Sequence, residues 1–413
     1  MHIAHFTNTY YPVISGVVRS VSAFRKALTE LGHNIFVFAQ NEPDYQDREP
    51  FIFRYPAFDL GLPNDFPATI PFSPYIDYVF PALKIDVVHS HHPVLLGQAA
   101  ANKAQEYNLP LVFTFHTRYR DYSHYFPLNQ EFVQEFVKNT IDSWLRIYIR
   151  RCQHIVVPSE SIREILFQEY GVEGHTTVVP TGIELEPFQR ADGTSIREKH
   201  AWKDDFVLIS VGRLAKEKNW GRLLEAVSEV VNTQKEVRLV VLGDGPHRKA
   251  LAQTARELGI ASRVEFAGKV PFEEVPGYLK SADMFSFASL TETQGLVTLE
   301  AMAAGLPVVA VDATGTRDVV DDGLDGLLVP DDSHALAQAI TRIIEDEPLR
   351  KRLRSGAEKK ARAYSIESQA KKLVGVYEKA IEAKRAGLQV PVDSGGRQAW
   401  PRGRGPITSI DSN

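Results

Sequence analysis

The chain has 413 residues, 44% of them hydrophobic and 24% charged, with 47 Lys and Arg against 52 Asp and Glu. A length beyond the roughly 250–300 residues of a single core implies two domains, and the ordinary globular composition excludes a largely disordered chain. The formal net charge of −5 excludes bulk nucleic-acid binding, and a single cysteine, Cys152, excludes an internal disulfide and a cysteine-based structural zinc site.

The first residues, Met1-His2-Ile3-Ala4-His5-Phe6, read directly as a strand with no basic leader before it. No apolar run reaches the ~18–20 residues of a membrane span. The expected location is therefore the cytoplasm, or a peripheral position on the cytoplasmic face of the plasma membrane. Strand 3–7 leads through a loop to Gly16-Val17-Val18 and a helix that Gly32 stops. Buried strands are predicted at 35–39, 86–89, 111–115 and 155–158, and Ser159 and Ser161 are candidate caps for a helix over 162–170. The stretch 177–183 reads as a strand entering a hinge.

A second alternating series follows, with strands at 206–211, 238–242, 263–267, 284–288 and 307–311 and helices at 220–231 and 275–280. Such alternation predicts α/β architecture with mainly parallel sheets. The expected domains are 1–182 and 183–365. A helix over 366–385 is expected to cross back to the first domain, before an unstructured tail, 386–413, rich in Gly, Pro, Arg and Ser.

Chemistry concentrates in Thr291-Glu292-Thr293-Gln294-Gly295-Leu296-Val297-Thr298-Leu299-Glu300, which runs into Ala301-Met302-Ala303-Ala304-Gly305-Leu306-Pro307. The first carboxylate stands in a Gly-containing loop, and the second is expected two turns into a helix of strong formers. A loop that opens a helix offers unpaired N–H groups and a positive dipole end, which suits a phosphate or a sugar hydroxyl. Arg213 and Lys218 follow a predicted strand at its carboxyl edge, where open parallel sheets bind ligands, and two cations there would neutralise a diphosphate. They could equally form a solvated basic loop. In His89-Ser90-His91-His92, alternate strand positions face opposite ways and no acid or thiol completes a ligand set, so no metal is expected.

Taken together, Gly212-Arg213-Leu214 with Glu217-Lys218-Asn219, Gly243-Asp244-Gly245-Pro246 and the Glu292–Glu300 pair resemble family 4 of the retaining nucleotide-sugar glycosyltransferases, on the GT-B fold, over roughly residues 1–385. The resemblance implies two Rossmann-like domains whose parallel sheets face a central cleft, the first binding the acceptor and the second the nucleotide-sugar donor. It implies that Glu300 holds the ribose hydroxyls. Glu292 and the N–H groups of Thr293, Gln294, Gly295 and Leu296 would hold the transferred sugar and its phosphate. Arg213 and Lys218 would hold the diphosphate, and Gly16 would let the backbone approach it from across the cleft. The base pocket is expected around Gly268-Lys269-Val270. His116, after the strand 111–115, looks like the family's active-site histidine, whose carbonyl or ring lies near the anomeric carbon.

No Asp-x-Asp pair is present, so departure of the diphosphate without a metal or other cofactor is favoured. Retention by double displacement needs a nucleophile beneath the anomeric carbon, and no carboxylate is an obvious candidate. A front-face route is therefore favoured.

Residues 51–148 hold 20 of the chain's 41 aromatics, including those of His116-Thr117-Arg118-Tyr119-Arg120-Asp121-Tyr122-Ser123-His124-Tyr125-Phe126. This last pattern, with Glu292-Thr293-Gln294-Gly295, most resembles the bacterial diacylglycerol α-glucosyltransferases of the family. That likeness implies UDP-glucose as donor, a lipid acceptor met by Arg118, Tyr119 and Tyr122, and weak peripheral membrane association. The aromatics could instead fill the core of the first domain. Residues 1–182 carry a net charge of −4, which argues against strong attraction to anionic lipid and leaves local patches such as Arg146, Arg150 and Arg151. The alternatives are another acceptor (a phosphatidylinositol, a glycolipid or a soluble sugar) and, from another enzyme class, a GT-B nucleotide-sugar epimerase.

Overall fold

A computed structural model describes residues 1–13, 15–42, 45–58, 68–116, 131–202, 204–234 and 236–392. Seven parallel strands form one sheet, in the spatial order Ile52–Tyr55, Asn34–Gln40, His2–Thr7, Val87–Ser90, Leu111–Thr114, His154–Val157 and Thr176–Val178. Six more form a second parallel sheet, ordered Val264–Gly268, Val237–Leu242, Phe206–Val211, Met284–Phe287, Val308–Val311 and Gly326–Val329. Residues 35–39 form a continuous apolar run in which every residue is buried, the pattern of a parallel strand covered on both faces. In each sheet the strand order reverses once. The reversal lies between His2–Thr7 and Val87–Ser90 in the first sheet, and between Phe206–Val211 and Met284–Phe287 in the second. Crevices open at the carboxyl ends of strands at such reversals.

The helix Gly16–Glu30 starts at one of these crevices. Ser15 caps it, its hydroxyl accepting the Val18 N–H at 3.3 Å, and Val18, Val21, Phe24, Ala27 and Leu28 form its buried stripe. The motif helix is shorter than its composition suggests. It spans Leu296–Ala303 and begins only after Gly295, whose φ of 73° the left-handed region grants readily to glycine, so Glu300 lies about one turn into the helix rather than two.

The strand Ile52–Tyr55 and the helices Leu96–Glu106, Ser333–Glu345 and Glu347–Ala363 have no counterpart among the elements predicted from sequence. The strand is short and lies at the sheet edge, where half-exposed side chains leave little alternation to read.

The helix Ile366–Arg385 leaves the second sheet and packs on the first. Ile366, Ala370, Leu373, Val376, Tyr377 and Ala380 recur at helical spacing and join Ile3, Val37, Val87, Val112 and Val156 in one apolar cluster. Beyond it, the order continues further than the expected start of the tail. The Val390 side chain is buried, its N–H donates to the Cys152 carbonyl at 2.9 Å, and Val392 pairs with Val172. Two valines that bury among apolar neighbours hold this strip, while 393–413 lie outside the described residues.

The two chain crossings between the halves run side by side. The Ile183 N–H donates to the Tyr364 carbonyl at 2.9 Å, and the Ile366 N–H donates to the Ile183 carbonyl at 3.0 Å. Gly182 fits this junction because it has no side chain: a Cβ there would lie 2.3 Å from the Ile366 Cα. Backbone must move to admit it, so Gly182→Ala is expected to cost roughly 1–3 kcal/mol. Urea unfolding checks this; an unchanged midpoint would contradict the close crossing.

Candidate active site

The loop after Phe206–Val211 is shaped by glycines. Gly243, at φ 138°, brings its backbone against Gly212, where a Cβ would sit 1.9 Å from the Gly212 carbonyl oxygen. A Cβ on Gly245 would lie 2.5 Å from the Leu214 oxygen, which accepts the His247 N–H at 3.0 Å. The Gly-Asp-Gly-Pro motif is thus a clasp that holds the 212–219 loop at the sheet edge. From that loop Lys218 reaches the carboxylate of Glu292, which also accepts the Ser289 hydroxyl at 2.8 Å. Arg213 is exposed, and its guanidinium meets no partner among the described residues; only its carbonyl is engaged, by the Trp220 indole at 2.9 Å. Of the two cations assigned to a diphosphate, one is thus already matched to a carboxylate and the other is free.

Glu300 has a side chain only 3% exposed, and the guanidinium of Arg19 engages it. Arg19 lies on Gly16–Glu30, so this ion pair joins the crevice of the first sheet to that of the second. Its guanidinium also stacks over Phe272 at 4.4 Å. The sequence reading missed Arg19, because only the folded chain brings it to a residue 281 positions away.

Thr293 and Gln294 are bonded across the same gap. The Ser159 hydroxyl donates to the Thr293 carbonyl at 2.8 Å. The buried Gln294 amide accepts the Thr181 N–H at 2.7 Å and donates to the Thr181 carbonyl at 2.8 Å. The Gln294 side chain is thereby a fastener between the halves, not a group aimed into open space. Gly295 opens the Leu296–Ala303 helix, and no side chain caps its first turn. Gly16 is exposed at the start of the facing helix, and a Cβ there would meet nothing within 4 Å, so internal packing does not require a glycine. Val270 packs on the apolar cluster of the second half.

His116 follows Leu111–Thr114, and its Nε2 lies 2.9 Å from the Nδ1 of His91. Burial, with His92 nearby, pushes its pKa down to about 3, so the ring is neutral. Arg118, Tyr119 and Tyr122 lie outside the described residues.

The histidine run behaves differently from expectation. His89 and His91, two apart, share a face, and His5 pairs in register with His89, so the donor atoms of His5, His89 and His91 lie within 4.8 Å of one another. These are atoms that could hold a metal, yet every ring nitrogen of the three already has a hydrogen-bond partner. The basic patch is also spent internally. Arg146 donates to the Glu169 carbonyl, Arg150 to that of Val392, and Arg151 to Gln98, Asn102 and Gln105.

The model of the family described as Glycosyltransferase Family 4 matches residues 14–187, and that of Glycosyl transferases group 1 matches residues 192–360. The chain is 32% identical over 356 residues to the alpha-monoglucosyldiacylglycerol synthase of Streptococcus pneumoniae, covering 84% of this chain and 79% of that one. It is 30% identical over 387 residues to the synthase of the same name from Acholeplasma laidlawii, covering 91% and 96%. The D-inositol 3-phosphate glycosyltransferase of a Nocardioides species is 31% identical over 318 residues, covering 71% and 67%. Among solved structures, Anabaena Alr3699/HepE in complex with UDP and glucose superposes with a TM-score of 0.70 at 19% identity, covering 92% of this chain and 99% of that one. Sucrose-phosphate synthase from Thermosynechococcus elongatus gives 0.72 at 22% identity, covering 92% and 99%. The fold is therefore GT-B, with two Rossmann-like halves.

The buried histidines carry a pH signature. Burial lowers His5 and His116 to about 3 and His92 to about 4, all from 6.5. Below about pH 6.5 the unfolded chain binds protons that these folded rings refuse, so stability falls as pH drops towards 4. Each ring contributes at most about 1.4 kcal/mol per pH unit in that window. Urea unfolding at about pH 7.5 and about pH 5 is expected to give a lower stability at the acidic end. A flat profile would contradict the buried, neutral network.

Proposed function

The chain belongs to family 4 of the glycosyltransferases, and on that premise we propose that it moves glucose from UDP-glucose to diacylglycerol, with retention and without a metal, at the cytoplasmic membrane face. The observation that carries the donor half is the pairing of each motif carboxylate with a cation, Glu292 with Lys218 and Glu300 with Arg19. Sugar hydroxyls can replace those cations as partners of the acids, and a diphosphate can then take up the released cations. Arg213, exposed and unpaired among the described residues, is available to the diphosphate from the start. The uncapped turn at Gly295 offers N–H groups to the same anion, and bare Gly16 leaves room for it opposite.

Three cationic groups converging on one diphosphate make it a good leaving group without a metal. The recess at His116 has no Asp or Glu among its described lining residues. This favours a front-face route in which the departing phosphate takes the proton of the acceptor hydroxyl while His116 lies beside the anomeric carbon.

The lipid acceptor is supported by the names of the two synthases, which align with both halves. It is also supported by a run of exposed apolar side chains: Ile70, Phe72, Tyr75 and Tyr78, the last 84% exposed. Adjacent exposed aromatics suit a membrane interface more than water. No described helix is long and apolar enough to cross a membrane, so attachment through this strip would be peripheral. One observation favours a second reading: the similarity to an inositol-phosphate glycosyltransferase, at nearly the same identity, leaves another acceptor in play.

Radiolabelled UDP-glucose with mixed-lipid vesicles tests the proposal. Label is expected in the organic phase when diacylglycerol is present; label only in water-soluble product removes the lipid acceptor, and epimerised nucleotide without transfer removes the reaction class. Within that assay, Glu300→Ala is expected to raise the donor KM roughly 10-fold or more. Arg213→Ala is expected to lower kcat on the order of 100-fold. Unchanged kinetics in both variants would overturn the donor site.

A further inference from the structure

Behind His116 runs an unbroken chain of hydrogen bonds. The His116 Nε2 meets the Nδ1 of His91 at 2.9 Å, and the His91 Nε2 meets the Nδ1 of His5 at 2.9 Å. The His5 Nε2 meets the Tyr377 hydroxyl at 3.2 Å. That hydroxyl also meets the His89 Nδ1 at 2.8 Å, and the His89 Nε2 meets the Thr114 hydroxyl at 2.6 Å. His5, His89, His91 and Tyr377 are all buried. Burial holds all four imidazoles far below their usual range, so each carries one proton and has one donor and one acceptor nitrogen.

These constraints leave two self-consistent proton orders. Tyr377 has one proton, so it donates to one histidine and accepts from the other. If it donates to His5, then His5 donates from Nδ1 to His91 and His91 donates from Nδ1 to His116. The His116 proton then stands on its own Nδ1, and His89 donates from Nδ1 to the tyrosine oxygen. If Tyr377 donates to His89 instead, every one of these protons stands on Nε2. Both orders hold the same number of protons, and in each all four histidines share one tautomer. The Nδ1 of His116 is the nitrogen at the end of the chain that has no partner among the described residues.

We propose that Tyr377 is a positioning residue for His116: its single hydroxyl proton selects the order of the whole chain, and so whether His116 offers a ligand an N–H or a lone pair. Tyr377 comes from Ile366–Arg385, the helix that reaches the first sheet only after the second is complete. The state of a residue in the first half's crevice thus depends on the docking of the last described helix. This rests on His116 lying beside the reacting sugar.

Nitrogen-15 NMR of histidine-labelled protein reads the tautomers directly. The wild-type protein is expected to show one common tautomer for His5, His89, His91 and His116; mixed tautomers among them overturn the proposal, whatever the variants do. In Tyr377→Phe, which keeps the ring and loses the hydroxyl, His89 is expected to lose its match with the other three. Its kcat should fall roughly 10-fold, the loss typical of a partner that orients a functional histidine, with donor KM within about 2-fold. Unchanged tautomers or unchanged kcat in a folded Tyr377→Phe protein overturn the proposal. If that variant does not fold, the wild-type spectrum decides. An active His116→Ala enzyme would overturn the role of His116 in transfer while leaving the tautomer result standing, so the two failures are distinguishable.

Discussion

The carboxylate of Glu300 is almost wholly enclosed, and a guanidinium from the opposite half of the molecule meets its charge. An enclosed charge without a partner costs several kcal/mol, so an enclosed Glu300 carboxylate needs Arg19 or another partner against it. Lys218 does the same for Glu292 within the second half. The acids are therefore held in place before any substrate arrives, and the proposed binding exchanges their partners. In the proposed role they grip hydroxyls and do not shuttle protons. Arg19 adds a mechanical consequence, since breaking its contact loosens one of the ties between the halves. The Gln294–Thr181 and Ser159–Thr293 hydrogen bonds remain to keep the motif loop in register.

Topology explains why these residues meet. Each sheet reverses its strand order once, and the loops leaving the two reversals carry His116's neighbours and Gly16 on one side and Arg213, Lys218 and Glu292 on the other. The first half then receives the helix Ile366–Arg385, so Tyr377 completes the histidine network from a segment distant in sequence. Much of the aromatic content of the first half serves packing: Tyr55, Phe80, Phe113, Phe115 and Tyr148 are buried, while Phe72, Tyr75 and Tyr78 stand clear of the surface. Composition alone cannot separate those two uses, because they need the same side chains.

Sequence reasoning succeeded where chemistry is local. The apolar strands and the Ser159 cap depend on neighbours within a few residues. It failed where a contact spans the fold. Arg19 sits in an amphipathic helix with nothing local to mark it. The grouping of His5 with His89 and His91 requires the register of two strands some 80 residues apart in sequence. The strip 387–392 reads as tail in sequence because its order comes from Cys152 and Val172, not from its own composition.

The exchange of partners at the two acids is tested most directly by a structure of the protein with UDP-glucose bound. The expected result has Glu300 on the ribose hydroxyls, Glu292 on the glucose, and Arg19, Arg213 and Lys218 on the diphosphate. A nucleotide sugar bound elsewhere, or bound with the Arg19–Glu300 and Lys218–Glu292 pairs intact, would contradict it.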